Sequence, residues 1–150
     1  MDAVTYPNPS VVSFVIDRLI PLRVPADDRL AGQFKVKWTP TLVTLDEKGE
    51  EHQRHVGFLK PEEFIAAFLL AIGKVYLDTG NFEKAIQNFQ EVISNYKSSK
   101  TTPEAIYLKG VALYKSTANA SHLKEAYDQL FREYPDSEWA DRATPYKLLV

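Results

Sequence analysis

With no cysteine among its 150 residues, the chain cannot form a thiolate, which excludes disulfide exchange, thiolate nucleophiles and thiolate metal sites. A formal net charge of −2, from 18 basic and 20 acidic residues, leaves no basic stripe for nucleic acid. An apolar content of 45% suits a chain that buries one sizeable core or two small ones, and the longest apolar run, Phe64 to Ile72, is far short of the ~20 residues that span a bilayer.

Residues 1–9, with Pro7 and Pro9, read as an irregular lead-in. Ser10 is placed to cap a short helix whose apolar positions Val12, Val15, Ile16 and Leu19 fall at helical spacing. Ile20 to Val24 reads as a strand, held to a sheet edge by Pro21. Asp27 or Asp28 caps a second short helix, with Leu30 and Phe34 four apart on its buried side. Pro40 opens the apolar, β-branched run Thr41 to Leu45; its fixed φ and missing donor suit a strand start and not a strand centre. Asp46 to Gly49 makes a polar turn, and Glu50 to Val56 returns as a polar, solvated partner strand.

From Pro61 the periodicity becomes helical. Pro61, Glu62 and Glu63 suit a first turn, Phe64, Phe68, Ile72 and Tyr76 mark a stripe, and Gly80 is the stop. Phe82, Ala85, Ile86, Phe89, Val92, Ile93 and Tyr96 step by three or four through a second amphipathic helix. A third runs from Thr102 to about Lys115. Ser121 caps a fourth, with Leu123, Tyr127, Leu130, Phe131 and Tyr134 on its apolar face, and Ser137 caps a short last one. The tail after Pro145 is either frayed or packed by Leu148 and Leu149.

The helices repeat. Leu69, Gly73 and Tyr76 recur as Ile106, Gly110 and Leu113, while Ala85, Phe89, Val92, Ile93 and Tyr96 recur as Leu123, Tyr127, Leu130, Phe131 and Tyr134. Glycine inside a helix costs roughly 1 kcal/mol against Ala, so Gly73 and Gly110 imply close approach of the paired helix. The first copy (Leu69, Gly73, Tyr76, Gly80-Asn81-Phe82, Ala85, Phe89, Val92) resembles the tetratricopeptide repeat (TPR). The second is looser, with Lys109 and Leu113 where a large apolar residue and Tyr are usual. Over roughly residues 1–72, the order helix, Thr39-Pro40-Thr41, strand, Asp46 to Gly49 turn, strand, Val56-Gly57, helix resembles the second half of a thioredoxin fold. The whole is similar to bacterial proteins that join a thioredoxin-like domain to TPR helices.

The resemblance implies an α+β fold: a partial thioredoxin-like fold over 1–72, with a small sheet and a hairpin after a cis-proline, then α-helical TPR-like hairpins over 61–150. The helix 61–79 is shared, leaving no flexible linker. In thioredoxins the cis-proline faces a Cys-X-X-Cys pair, and Met1 falls just downstream of where that motif would lie. Two expectations follow. The chain is a redox-inactive protein–protein interaction module and not an enzyme, or it is the downstream portion of a thioredoxin-type disulfide oxidoreductase whose motif lies upstream. No charged leader with an apolar core precedes the first helix, so a cytoplasmic location is expected, or a periplasmic one if a leader is missing.

Candidate site residues come from the same resemblance. The backbone of Thr39 and Pro40 pairs with an extended peptide in thioredoxins; the alternative here is a proline that only shapes the fold. The TPR groove positions fall on Ala67, Leu70, Lys74, Leu77 and Asp78, then on Glu104, Tyr107, Val111, Tyr114 and Lys115. Leu70, Leu77, Tyr107 and Tyr114 are expected either to grip an apolar or helical peptide or to pack on the thioredoxin-like half. His52 and His55, three apart on a strand, face opposite sides and His122 stands alone, so solvated histidines are expected, with no metal, cofactor or catalytic residue. The acid pairs Asp27-Asp28 and Glu62-Glu63 sit at helix starts, where the macrodipole favours them. The expected partner is a protein or peptide, with no nucleic acid and no membrane. A homodimer is expected too, unless Ile20 to Val24 closes the edge of Thr41 to Leu45.

Overall fold

The computed structural model describes residues 1–149. They divide into two compact units, Met1–Ile65 and the residues from Ala66 onward, and the fold is α+β.

In the first unit, α1 (Pro9–Arg18) is capped by Asn8, whose side chain accepts from the Ser10 and Val11 N–H groups. The cap thus lies two residues before the expected Ser10, because Pro9 has no N–H to satisfy and fits the first helical position. The buried face is also shifted. Val11 is buried and Phe14 and Val15 are half-buried, whereas Val12 and Ile16 point to solvent. Asp28 caps α2 (Arg29–Gln33) with a 2.8 Å bond from Leu30 N–H, and Ala31 supplies its buried contact.

Between these helices the expected strand does not form. Residues 20–24 have no ladder partner, and Ile20 is 100% exposed. Prolines 21 and 25 remove two donors, and apolar propensity without a neighbouring strand is insufficient.

The sheet is the two-stranded hairpin β1 (Thr41–Leu45) and β2 (Glu51–Val56), pairing Thr41 with Val56 and Val43 with Arg54, with an irregularity at Thr44/Leu45. Asp46 closes its turn, its Oδ1 accepting from Lys48 N–H at 2.8 Å and Glu50 N–H at 2.9 Å. The N-terminal residues are anchored, not loose. Buried Thr5 donates its hydroxyl to the Leu59 carbonyl at 2.5 Å, and the Tyr6 and Phe64 rings meet edge to face at 6.2 Å.

The helix α3 (Pro61–Asp78) is unbroken, and the division between the units falls inside it. Gly80, at φ +84°, ends it in a Schellman pattern: Asn81 N–H donates to Tyr76 C=O and Gly80 N–H to Leu77 C=O. The second unit continues with α4 (Phe82–Asn95), α5 (Thr102–Thr117), α6 (Ser121–Glu133), α7 (Glu138–Ala143) and a 3-10 turn, Thr144–Leu148. Its interior is made by Phe89, Val92, Ile106, Ala112, Leu123, Ala126, Tyr127 and Leu130. Ser137 caps α7 as expected. Ser121 does not cap α6; the Asn119 side chain accepts from Ser121 N–H instead, at 3.0 Å. Phe131, expected on the apolar face, is 60% exposed and stacks on Tyr127.

Ala118, after α5, adopts φ +57°, ψ +18°. A side chain in the left-handed region costs about 1 kcal/mol or more, so Ala118→Gly is expected to stabilise the helical unit by about 0.5–1 kcal/mol. Urea unfolding of both proteins measures it.

Candidate functional site

The candidate site residues lie in two places, one in each unit. In the first, the Thr39-Pro40 bond is cis, as expected. The Pro40 carbonyl is engaged, accepting from Gly57 N–H at 2.8 Å. Thr41 donates its hydroxyl to the Trp38 carbonyl at 2.5 Å, which tightens the turn from the other side. Among the described residues neither backbone group of Thr39 has a hydrogen-bond partner, and the Trp38 side chain beside it is 74% exposed.

In the second unit, two glycines position the helices. A Cβ on Gly73 would lie 2.4 Å from Cε1 of the Phe89 ring, and one on Gly110 would lie 2.6 Å from the Ala126 Cβ and 3.1 Å from the His122 carbonyl oxygen. Both α3–α4 and α5–α6 therefore pack with no room for a methyl group between them. Lys74 on α3 forms an ion pair with Glu104 on α5, placing the first helices of the two pairs side by side.

Residues 4–72 match the family model of a thioredoxin-like domain, and residues 67–99 match that of a tetratricopeptide repeat. A thioredoxin-like domain runs into a TPR-like repeat. Comparison with curated proteins and with solved structures returns no match. The second helix pair, α5 and α6, lies beyond the matched repeat and reproduces its close packing through Gly110.

The groove positions of the TPR-like pairs are not equivalent. Leu70 and Leu77 are only 2% and 7% exposed, so a peptide would reach them only by displacing what covers them. Tyr107 is engaged by the C-terminal segment of its own unit. Its hydroxyl shares a 2.8 Å hydrogen bond with that of Tyr146, and its ring lies 5.2 Å from Trp139 and 5.7 Å from Tyr146. Arg142 covers the Trp139 ring at 4.6 Å. The tail is thus packed, through Tyr146 instead of the exposed Leu148. Tyr114, 41% exposed, is the aromatic groove residue left open to solvent.

Burial, followed by the hydrogen bond shared with Tyr107, pushes the pKa of the Tyr146 hydroxyl up to about 12. A pKa raised in the folded state stabilises fully below the ordinary value of 10.0 and is lost as pH rises from there towards 12. Tyr146→Phe is therefore expected to flatten the alkaline loss of stability across that interval, and absorbance titration should lose part of the late tyrosinate phase.

The largest site feature hidden from sequence reasoning lies in the thioredoxin-like domain. His52 Nε2 stands 3.0 Å from Asp46 Oδ2, with side-chain exposures of only 8% and 6%. The expectation of a solvated His52 is corrected: a polar strand brought its imidazole across the hairpin onto the turn carboxylate. The hydrogen bond from His52, then those from Glu50 and Lys48 N–H, hold the Asp46 carboxyl down to about 2. Asp46, Glu50 and His52 bring their ligand-type atoms within 4.8 Å of one another, but both Asp46 oxygens already accept hydrogen bonds that close the turn. A depressed carboxylate stabilises above its ordinary value of 3.8 and the effect fades as pH falls towards 2. Asp46→Asn is accordingly expected to erase the part of the acid transition that falls in that window, measured by circular dichroism. Burial also lowers the His55 pKa, Glu63 opposing it. His122 stands 3.2 Å from Glu125 at the helix surface.

Proposed function

We infer that this chain is a non-catalytic protein–protein interaction module whose binding face lies on the first helices of its TPR-like pairs. The observation that supports this most directly is the Gly73 and Gly110 packing, which holds α3–α4 and α5–α6 as preorganised pairs and leaves Tyr114 exposed beside Val111 and Lys115. An exposed tyrosine beside half-buried aliphatic surface is the side-chain chemistry that anchors a peptide at low entropic cost. The absence of cysteine removes the thiol chemistry of a thioredoxin fold from these 150 residues. Insulin reduction by dithiothreitol should proceed at the protein-free rate in their presence.

The decisive experiment pans a random peptide library against the folded chain and measures the selected peptides against Tyr114→Ala. A loss of tenfold or more in affinity supports the proposal; peptides indifferent to Tyr114, or no selection at all, contradict it. A second site is favoured by one specific observation, the unbonded Thr39 backbone beside exposed Trp38, which suits an extended peptide pairing through its main chain. Peptides selected by that site would lose affinity with Trp38→Ala and not with Tyr114→Ala. The partner expected at either site is a protein or peptide. No helix among the described residues is long and apolar enough to cross a membrane.

A further inference from the structure

We propose, on the reading of the binding face given above, that the segment Thr144–Leu148 is an intramolecular strap over one end of that face, and that the partner is a peptide that displaces it with an aromatic residue of its own. Along α5, Tyr107, Val111 and Tyr114 stand at i, i+4 and i+7, so they form one stripe on a single side of the helix. At the helical rise the stripe is ~10 Å long. Its C-terminal end, at Tyr114, is open to solvent. Its N-terminal end, at Tyr107, is occupied. The Tyr146 ring lies 5.7 Å from that of Tyr107 at an interplanar angle of 27°, a separation at which aromatic pairs attract specifically, and the two hydroxyls share the 2.8 Å hydrogen bond. The occupant that the chain supplies to itself thus shows what this end of the stripe accepts: an aromatic ring with a polar tip.

The segment is held in a way that lets it leave. Within Thr144–Leu148, Tyr146 alone is half-buried, and the other residues are exposed. Pro145 has no N–H with which to continue the ladder of α7, so the segment can lift without unwinding that helix. Trp139 of α7, 5.2 Å from Tyr107, stays in contact with Tyr107, so the stripe is not lost with the strap. Strap and peptide then compete for Tyr107, and the apparent affinity of the peptide is its intrinsic affinity reduced by the fraction of chains that are open. Because a tethered competitor acts at an effective concentration in the millimolar range, a peptide that matches only the strap is at a disadvantage. One that reaches Tyr114 as well is favoured.

The test supplies the strap in trans, as a fluorescein-labelled synthetic peptide of residues 141–149, and measures its binding to the full chain by fluorescence anisotropy. Each variant is first matched to the native circular dichroism spectrum. Tyr146→Ala should bind the peptide roughly tenfold or more tightly than the wild type, because its site is open. Tyr146→Phe, which keeps the ring stack and loses the hydroxyl, should gain less. Adding Tyr107→Ala to Tyr146→Ala should abolish the gain, and so should Ala in place of the tyrosine in the peptide. A folded Tyr146→Ala chain that binds no better than the wild type would overturn the proposal, as would a gain that survives without Tyr107. One arm needs no variant: excess peptide should move the Tyr146 and Lys147 amide signals of the labelled wild-type chain to unfolded-chain positions, and signals that stay in place while that of Tyr107 shifts would overturn it too. Library-selected peptides that depend on Tyr114 but gain nothing from Tyr146→Ala would remove the strap and leave the binding face standing.

Discussion

Replacing Phe89 by Ala is expected to cost the helical unit about 3–5 kcal/mol, the range for deleting a buried aromatic ring. Phe89 is fully buried in α4, and the Cα of Gly73 on α3 sits against its ring. No neighbouring side chain stands on Gly73 to slide into the space, so the cavity persists. A domain's whole stability is about 5–15 kcal/mol, so the variant should unfold well over ~10 °C below the wild type. The control is Phe131→Ala, another aromatic deletion but at an exposed position; it should cost about 1 kcal/mol, the worth of one aromatic stacking contact. Equal losses in the two variants, measured by urea unfolding, would refute the packing described for the repeat.

The second large effect is expected at Gly110. Replacing a helical glycine by Ala normally gains about 0.5–1 kcal/mol, yet here the new methyl would meet the Ala126 Cβ and the His122 carbonyl oxygen. Both are fixed to the α6 backbone, so relief requires moving a helix. Gly110→Ala should therefore destabilise by about 1–3 kcal/mol, the usual penalty of overpacking, and Gly110→Val by more. Gly73→Ala meets the Phe89 ring instead, which can tilt, so its cost should be the smaller of the two. Adding Ala126→Gly to Gly110→Ala should restore part of the loss, because the two side chains compete for one space. A stabilised Gly110→Ala would show that α5 and α6 are not in close contact there.

These glycines were legible because they interrupt otherwise regular helical stripes, and a conformational cost inside a helix calls for a packing reason. The hairpin was legible for similar local reasons: Pro40 marks the strand start, and Asp46 to Gly49 carries the turn chemistry. What could not be read was non-local. Ile20 to Val24 has strand-like composition, but a strand exists only when another pairs with it, and none does. The buried face of α1 differs by one position from the predicted one because Val11, Val12, Val15 and Ile16 offer two apolar stripes, and only packing chooses between them.

The candidate site was legible to different depths. The Thr39-Pro40 bond is cis, as the thioredoxin resemblance implies, and among the described residues the Thr39 backbone has no hydrogen-bond partner. Leu70 and Leu77 occupy groove positions by correspondence, yet correspondence does not report burial. The Tyr107–Tyr146 bond joins residues 39 apart, and no local pattern announces it. The polar composition of β2 predicts a solvated His52, although Asp46, six residues earlier, stands across the turn from it. Asn88, on the buried side of α4, gives its amide N–H to the Lys84 carbonyl and leaves Oδ1 without a partner; nothing in the helical spacing predicted a polar residue there.

The proposed function rests on where a peptide binds. Nitrogen–proton correlation spectra of the labelled chain, recorded with and without a library-selected peptide, measure this directly. Shifts concentrated on Glu104, Val111, Tyr114 and Lys115, extending to Lys74 and Asp78 on α3, are the predicted result. Shifts confined to Trp38–Thr41, or to the far side of α6 around Phe131, would contradict the assignment of the binding face to the repeat.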